Sequence, residues 1–92
     1  MIRSFKHKGL KRFFLHGDTS KVNQNHVARL RRILAIIHAA ERIEQIDLPG
    51  LNLHPLKGDL KGYWAVKVSG NWRLVFSFEE GSAYNVNYVD YH

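Results

Sequence analysis

Three short stretches of the chain carry residue types that can move protons and hold phosphate. The first, His54-Pro55-Leu56-Lys57-Gly58-Asp59, places an imidazole three positions before an ammonium in a segment whose proline and glycine fix the backbone path. Pro, Gly, Asp and Lys are equally the residues of an ordinary connector. The second is Arg73, in an alternating run and opposite in face to Trp72. On an open face such an arginine is merely solvated, whereas in a cleft its planar donors clamp two phosphate oxygens at once. The third is Asp90-Tyr91-His92, an acid, a phenol and an imidazole in succession. These are the groups of general acid and base catalysis, although chain ends usually fray. In extended geometry Asp90 and His92 share one side and Tyr91 takes the other.

Spacing argues against other kinds of site. His7, His16, His26 and His38 show no i, i+4 pairing with a carboxylate, so no zinc or iron centre is expected, and they read as partly exposed helix decoration. The chain holds no cysteine, which removes disulfides and thiolate ligands. A Gly-rich phosphate loop, a GxSxG elbow and a redox motif are all missing, and no cofactor is expected.

The elements that must hold these groups follow from periodicity. Ile2 to Phe5 reads as a short first strand, and a helix from about Lys6 to His16 stops at Gly17. Leu10, Phe13 and Phe14 form its apolar stripe, with Lys8, Lys11 and Arg12 on the opposite side. A second helix runs from an Asn23 cap to about Ala40, with Val27, Leu30, Ile33, Leu34 and Ile37 inward and Arg29 and Arg32 toward the polar side. Residues 41–47 either prolong it or form a separate turn, before Pro49-Gly50 ends the region. The last third reads as a β meander of residues 63–68, 72–78 and 83–89. Trp72, Leu74, Phe76 and Phe78 share one face of its middle strand, and Tyr84, Val86 and Tyr88 one face of its last. The expected architecture is α+β, an N-terminal strand and two helices packed on one face of an antiparallel sheet, as one domain over residues 1–92.

Charge points to a polyanionic partner. Residues 1–32 hold nine Lys or Arg against one acid, while the remaining sixty hold five against seven. Positive potential is thereby concentrated at one end of the fold, as a nucleic-acid binder requires, though it also serves plain solubility. The start MIRSFKHKGLKRFF has no continuous apolar region and the apolar run from Ile33 to Ala40 is too short to span a bilayer. A cytoplasmic location without membrane contact is expected.

Taken in order and at these spacings, MIRSF, KHKGL, HPLKGD, GYW, NWRLVF and the closing DYH make a chain that resembles the HigB toxins, a branch of the RelE family in type II toxin–antitoxin modules. The resemblance implies a RelE-like fold and an mRNA endonuclease that works in the ribosomal A site without metal. It also implies a HigA-type helix-turn-helix antitoxin, with DNA contacted only through that partner. Carried over by position, His54, Asp90, Tyr91 and His92 match the catalytic group, and Lys57, Asn71 and Arg73 match positions lining the RNA path. The Lys8, Lys11 and Arg12 stripe would dock on ribosomal RNA. His54 and His92 would transfer protons, Asp90 would orient or act as base, Tyr91 would align the substrate, and Arg73 and Lys57 would stabilise charge. A gyrase inhibitor of the ParE type would share the fold but have no need of His54 with a DYH end. A noncatalytic RNA-binding module would account for the charge and leave the titratable groups unexplained.

Overall fold

Strand pairing follows chain order. The structure, a computed structural model, describes residues 1–91. Helix α1 spans Lys8–His16, helix α2 Val27–Ala39, and strands β1 to β4 span His54–Pro55, Tyr63–Ser69, Trp72–Glu79 and Ser82–Asp90. All neighbouring strands are antiparallel, in the order β1-β2-β3-β4.

Helix α1 starts two residues later than the pattern predicts because His7 caps it: its Nδ1 accepts the Leu10 N–H at 2.9 Å while its own backbone stays extended. The expected stop is at Gly17, whose φ of 71° suits a residue without a Cβ and whose N–H returns to the Phe13 carbonyl at 2.9 Å. Asn23 is the expected cap, its side chain accepting from Asn25 N–H, but the turn it begins is a 3₁₀ turn over Gln24–His26 that leads into α2. Residues Ile43–Ile46 make a separate 3₁₀ turn.

Leu10 and Phe13 of α1 and Leu30, Ile33, Leu34 and Ile37 of α2 bury against Val66, Val68, Leu74, Phe76, Val86 and Tyr88 on one face of the sheet. Trp64, Trp72 and Phe78 close the rim of this core. Full burial of each aliphatic side chain contributes about 1.5–3 kcal/mol, the main favourable term for a chain without cross-links. The helices therefore cover one face and leave the other, which carries Ala65, Arg73, Val75 and Asn87, for another use.

Four expectations are corrected. Ile2 to Phe5 runs parallel beside β4 but pairs only through isolated bridges, Ile2 with Ala83 and Phe5 with Val86. Between them the Ser4 hydroxyl, not a backbone carbonyl, takes the Asn85 N–H at 2.8 Å, so no continuous ladder forms. Tyr84 does not share a face with Val86 and Tyr88: the register shifts between Val75 and Ser77, Asn85 has φ 55°, and Ala83 enters the core in its place. His54-Pro55 is not merely a connector but the edge strand of the sheet, His54 opposite Ala65 and Pro55 opposite Trp64. Arg29 is only half exposed; its Nη2 donates to the Gly50 carbonyl at 2.8 Å and the Lys67 carbonyl at 3.1 Å, which ties α2 to the loop before β1 and to β2.

Candidate active site and nucleic-acid interface

The face without helices holds a cleft of about 290 Å³. Val75, Asn87 and Val89 form its floor, Asp59 and Leu60 of the 3₁₀ turn Gly58–Leu60 stand on one side, and Tyr91 and Lys6 line it as well. Pairing puts His54, Ala65, Val75 and Asn87 in one row across all four strands. At the ordinary interstrand spacing His54 lies about 10 Å from Val75, and it is not among the residues that line the cleft. Its Nδ1 is 2.9 Å from the Asn52 carbonyl oxygen, which can only accept, so Nδ1 carries the hydrogen. In the neutral ring Nε2 then presents a lone pair, the arrangement a general base requires.

Tyr91 leaves β4 with its N–H donating to the Asn71 carbonyl at 2.8 Å, so the β2–β3 turn sets where the ring enters the cleft. Arg73, paired between Lys67 and Val89, shares this face. Its Nη1 donates to the Gly70 carbonyl at 2.7 Å and the Trp72 carbonyl at 3.0 Å, which anchors the guanidinium to the same turn and leaves its other nitrogens as donors. Lys57 is exposed at the start of the 3₁₀ turn beside the cleft.

Not every expected residue joins this group. Asp90 pairs with Trp72, whose side chain packs on the helix-side core, so strand alternation turns Asp90 away from the cleft that Tyr91 lines. It lies near the Tyr88 hydroxyl, whose pKa is raised, chiefly by burial and further by the Asp90 charge. His92 lies outside the described residues. Of the α1 bases, Lys8 and Arg12 line a groove beside the cleft, while Lys11, exposed on the same helix, is outside that lining. Arg12 is also engaged, its Nε 2.9 Å from Asp18 Oδ2. The Asp18 carboxyl is held well below the usual range, first by hydrogen bonds from Ser20 and then by Arg12.

Several participants are invisible to residue typing. Asn85 donates through Nδ2 to the Tyr63 hydroxyl at 3.1 Å, and both line the cleft with Asn87. Two asparagines flanking Val86 in a strand were the available signal, since asparagine is depleted in strands without a polar task. His26 is not helix decoration but 6% exposed, with Nδ1 2.6 Å from the Tyr88 hydroxyl and its ring edge-on to Trp72. Burial lowers its pKa. His38 also has a fixed task, accepting the Ile2 N–H at 3.1 Å. Among the described residues no three His, Asp or Glu side chains gather where they could hold a metal ion, and no helix is long and apolar enough to cross a membrane.

A two-helix layer on one side of an antiparallel sheet, with a cleft on the other, is the architecture that the resemblance to the RelE-like toxins implies. Crystal structures of YafQ from E. coli share it: a point mutant superposes with a TM-score of 0.59 at 19% identity, over 98% of this chain and 91% of that one. YafQ from strain BL21(DE3) gives 0.54 at 17%, over the same shares. The family model of HigB-like toxins, RelE-like toxins of the type II toxin–antitoxin system HigB, matches residues 3–92, and the chain belongs to this family. It is 49% identical over 92 residues to Endoribonuclease HigB of Proteus vulgaris, covering the whole of both chains. Toxin HigB-1 of Vibrio cholerae serotype O1 is 31% identical over 94 residues, with all of this chain and 98% of that one covered. Membership of a type II module implies an antitoxin partner.

Proposed function

We propose that this toxin is an endoribonuclease that enters the ribosomal A site, cleaves mRNA there and so stops translation in the cytoplasm, and that a HigA-type helix-turn-helix antitoxin restrains it. The observation that carries the reading is His54: an imidazole whose Nδ1 is committed to Asn52, so that its neutral form presents Nε2 as an acceptor, in the strand row whose Val75 and Asn87 line the cleft. The 49% identity to a protein named Endoribonuclease HigB supports the same chemistry.

A base takes the proton of the 2′-hydroxyl, the 2′-oxygen attacks the adjacent phosphorus, and the bond to the 5′-oxygen breaks, leaving a 2′,3′-cyclic phosphate. The departing 5′-oxygen needs a proton, which an acid supplies. His54 and His92 are the proton carriers, Tyr91 aligns the substrate in the cleft, and Arg73 and Lys57 neutralise charge on the phosphorane-like transition state. Asp90, turned to the other face in the free protein, serves through orientation. Asn71 holds Tyr91 through its carbonyl and leaves its side chain exposed to the RNA. These groups complete both proton transfers, so the mechanism requires no metal. Docking on ribosomal RNA falls to Lys8, Lys11 and Arg12. The test is primer extension on a defined mRNA, naked and in ribosomal complexes. Breaks confined to the A-site codon and dependent on ribosomes are expected; equal cutting of naked mRNA, or no cutting in either, refutes the reading.

A further inference from the structure

Beside the cleft, and larger than it, runs a groove of about 570 Å³ between the start of α1 and the segment that follows α1. Lys6, Lys8, Arg12 and Lys21 line it, with no carboxylate among the lining residues. Lys6 and Asn87 line both the groove and the cleft, so the two form one continuous trough.

The groove owes its shape to Gly9. A Cβ there would come within 2.5 Å of the Lys21 Cβ and 3.2 Å of the Lys21 carbonyl oxygen, so a side chain at this position would push the Lys21 segment off the helix. The backbone is thereby spent on holding a fourth base against α1. Arg12 is partly neutralised by Asp18, but among the described residues Lys6, Lys8 and Lys21 take part in no ion pair. Three ammonium groups with no anion, along a trough that opens into the cleft, match the phosphates of a single strand.

Resting on the ribonuclease reading, we infer that this groove is a second binding site for the substrate: an RNA strand leaving the cleft crosses Lys6 and Asn87 and lays its phosphates against Lys21 and Lys8, the one base that the strand shares with the ribosome-docking stripe. The occupant is single-stranded RNA because the groove continues the substrate cleft. The site holds the strand outside the reacting nucleotides and reads no sequence, since ammonium groups recognise phosphate as point charges.

The experiment measures binding apart from cleavage. Fluorescein-labelled 2′-O-methyl RNA cannot be cleaved through its blocked 2′-oxygen; oligomers of about three and about eight nucleotides separate a strand that fills only the cleft from one that continues along a groove. Anisotropy titrations of the whole protein should show tighter binding of the longer oligomer. In Lys6→Gln/Lys8→Gln/Lys21→Gln that gain disappears, and the slope of log affinity against log salt becomes shallower by about 2, or roughly 20-fold over a fourfold change in salt. Arg31→Gln/Arg32→Gln/Arg42→Gln removes the same charge from exposed positions elsewhere and keeps the gain. All six residues are exposed, and circular dichroism verifies the fold of each variant. No length dependence in the wild-type protein overturns the inference, as would a site for an acidic peptide; so does equal loss in both triple variants. Length-dependent binding by a protein that cleaves no mRNA on ribosomes would refute the nuclease reading and leave the groove standing.

Discussion

Replacing Tyr88 with phenylalanine isolates one hydrogen bond on which the last strand depends. The Tyr88 hydroxyl is 2.6 Å from His26 Nδ1 and accepts the Asn23 N–H at 3.4 Å, and with the imidazole hydrogen on Nε2 the hydroxyl donates to Nδ1. That bond joins the entrance of α2 to β4 two residues before Asp90. The ring itself stacks on Trp72 with centroids 4.6 Å apart and meets His7 edge-on at 5.5 Å, contacts that phenylalanine retains. Tyr88→Phe therefore removes little apolar contact and strands a nitrogen on a residue that is 6% exposed. Leaving a buried acceptor unpaired costs about 1–3 kcal/mol. In a domain of this size each kcal/mol lowers the Tm by about 4–8 °C, so a fall of roughly 5–20 °C is expected in thermal unfolding. Adding His26→Phe removes the stranded nitrogen, and the double variant should be more stable than the sum of the two single losses allows. A Tyr88→Phe protein melting within about 1 °C of the parent, or simple additivity in the double variant, would refute the assignment.

Protonation of the same histidine gives a pH dependence. Burial holds the His26 pKa below its ordinary 6.5, and burial lowers His7 too, so above that value both folded and unfolded states are neutral and no stability is lost. As pH falls below about 6.5 the unfolded chain gains protons that the folded chain refuses, and stability declines. His26→Phe should flatten the decline between neutral and acid pH in a series of melting curves; an identical slope would count against a buried neutral imidazole. Arg73→Ala should slow single-turnover cleavage by about 10² to 10³ while weakening ribosome binding much less. A normal rate with weak binding would make Arg73 a docking residue. His92→Ala should lower cleavage by about 10² to 10⁴ without lowering the Tm, and wild-type rates would remove His92 from the mechanism.

Elements with many turns or alternations were legible in the sequence, and isolated contacts were not. The stripe of Leu10 and Phe13 and that of Leu30, Ile33, Leu34 and Ile37 repeat often enough to fix both helices and their buried faces. Trp72, Leu74, Phe76 and Phe78 do the same for β3. A two-residue strand has no period, so His54-Pro55 shows its pairing with Ala65 and Trp64 only once β2 is in place. The bulge at Asn85 shifts the alternation by one residue and removes Tyr84 from the expected face. His26 and Tyr88 are 62 positions apart, and nothing local marks either as half of a buried pair. For the site, residue types identified His54, Arg73 and the Asp90-Tyr91 pair as able to do chemistry. Which of them share a face depends on register, which turns Tyr91 toward the cleft and Asp90 away. Lys6 and Lys21 were countable as charge, but their shared groove comes from the close approach at Gly9.

The central claim is that the face without helices carries out the cleavage through His54. Single-turnover cleavage in preassembled ribosomal complexes, comparing His54→Ala with His16→Ala, tests it most directly. Both residues are exposed, but His16 is on α1, whereas His54 is in the strand row whose Val75 and Asn87 line the cleft. His54→Ala should lose about 10² to 10⁴ in rate with an unchanged Tm, and His16→Ala should cleave as the parent does. Cleavage by His54→Ala at the parent's rate would contradict the account.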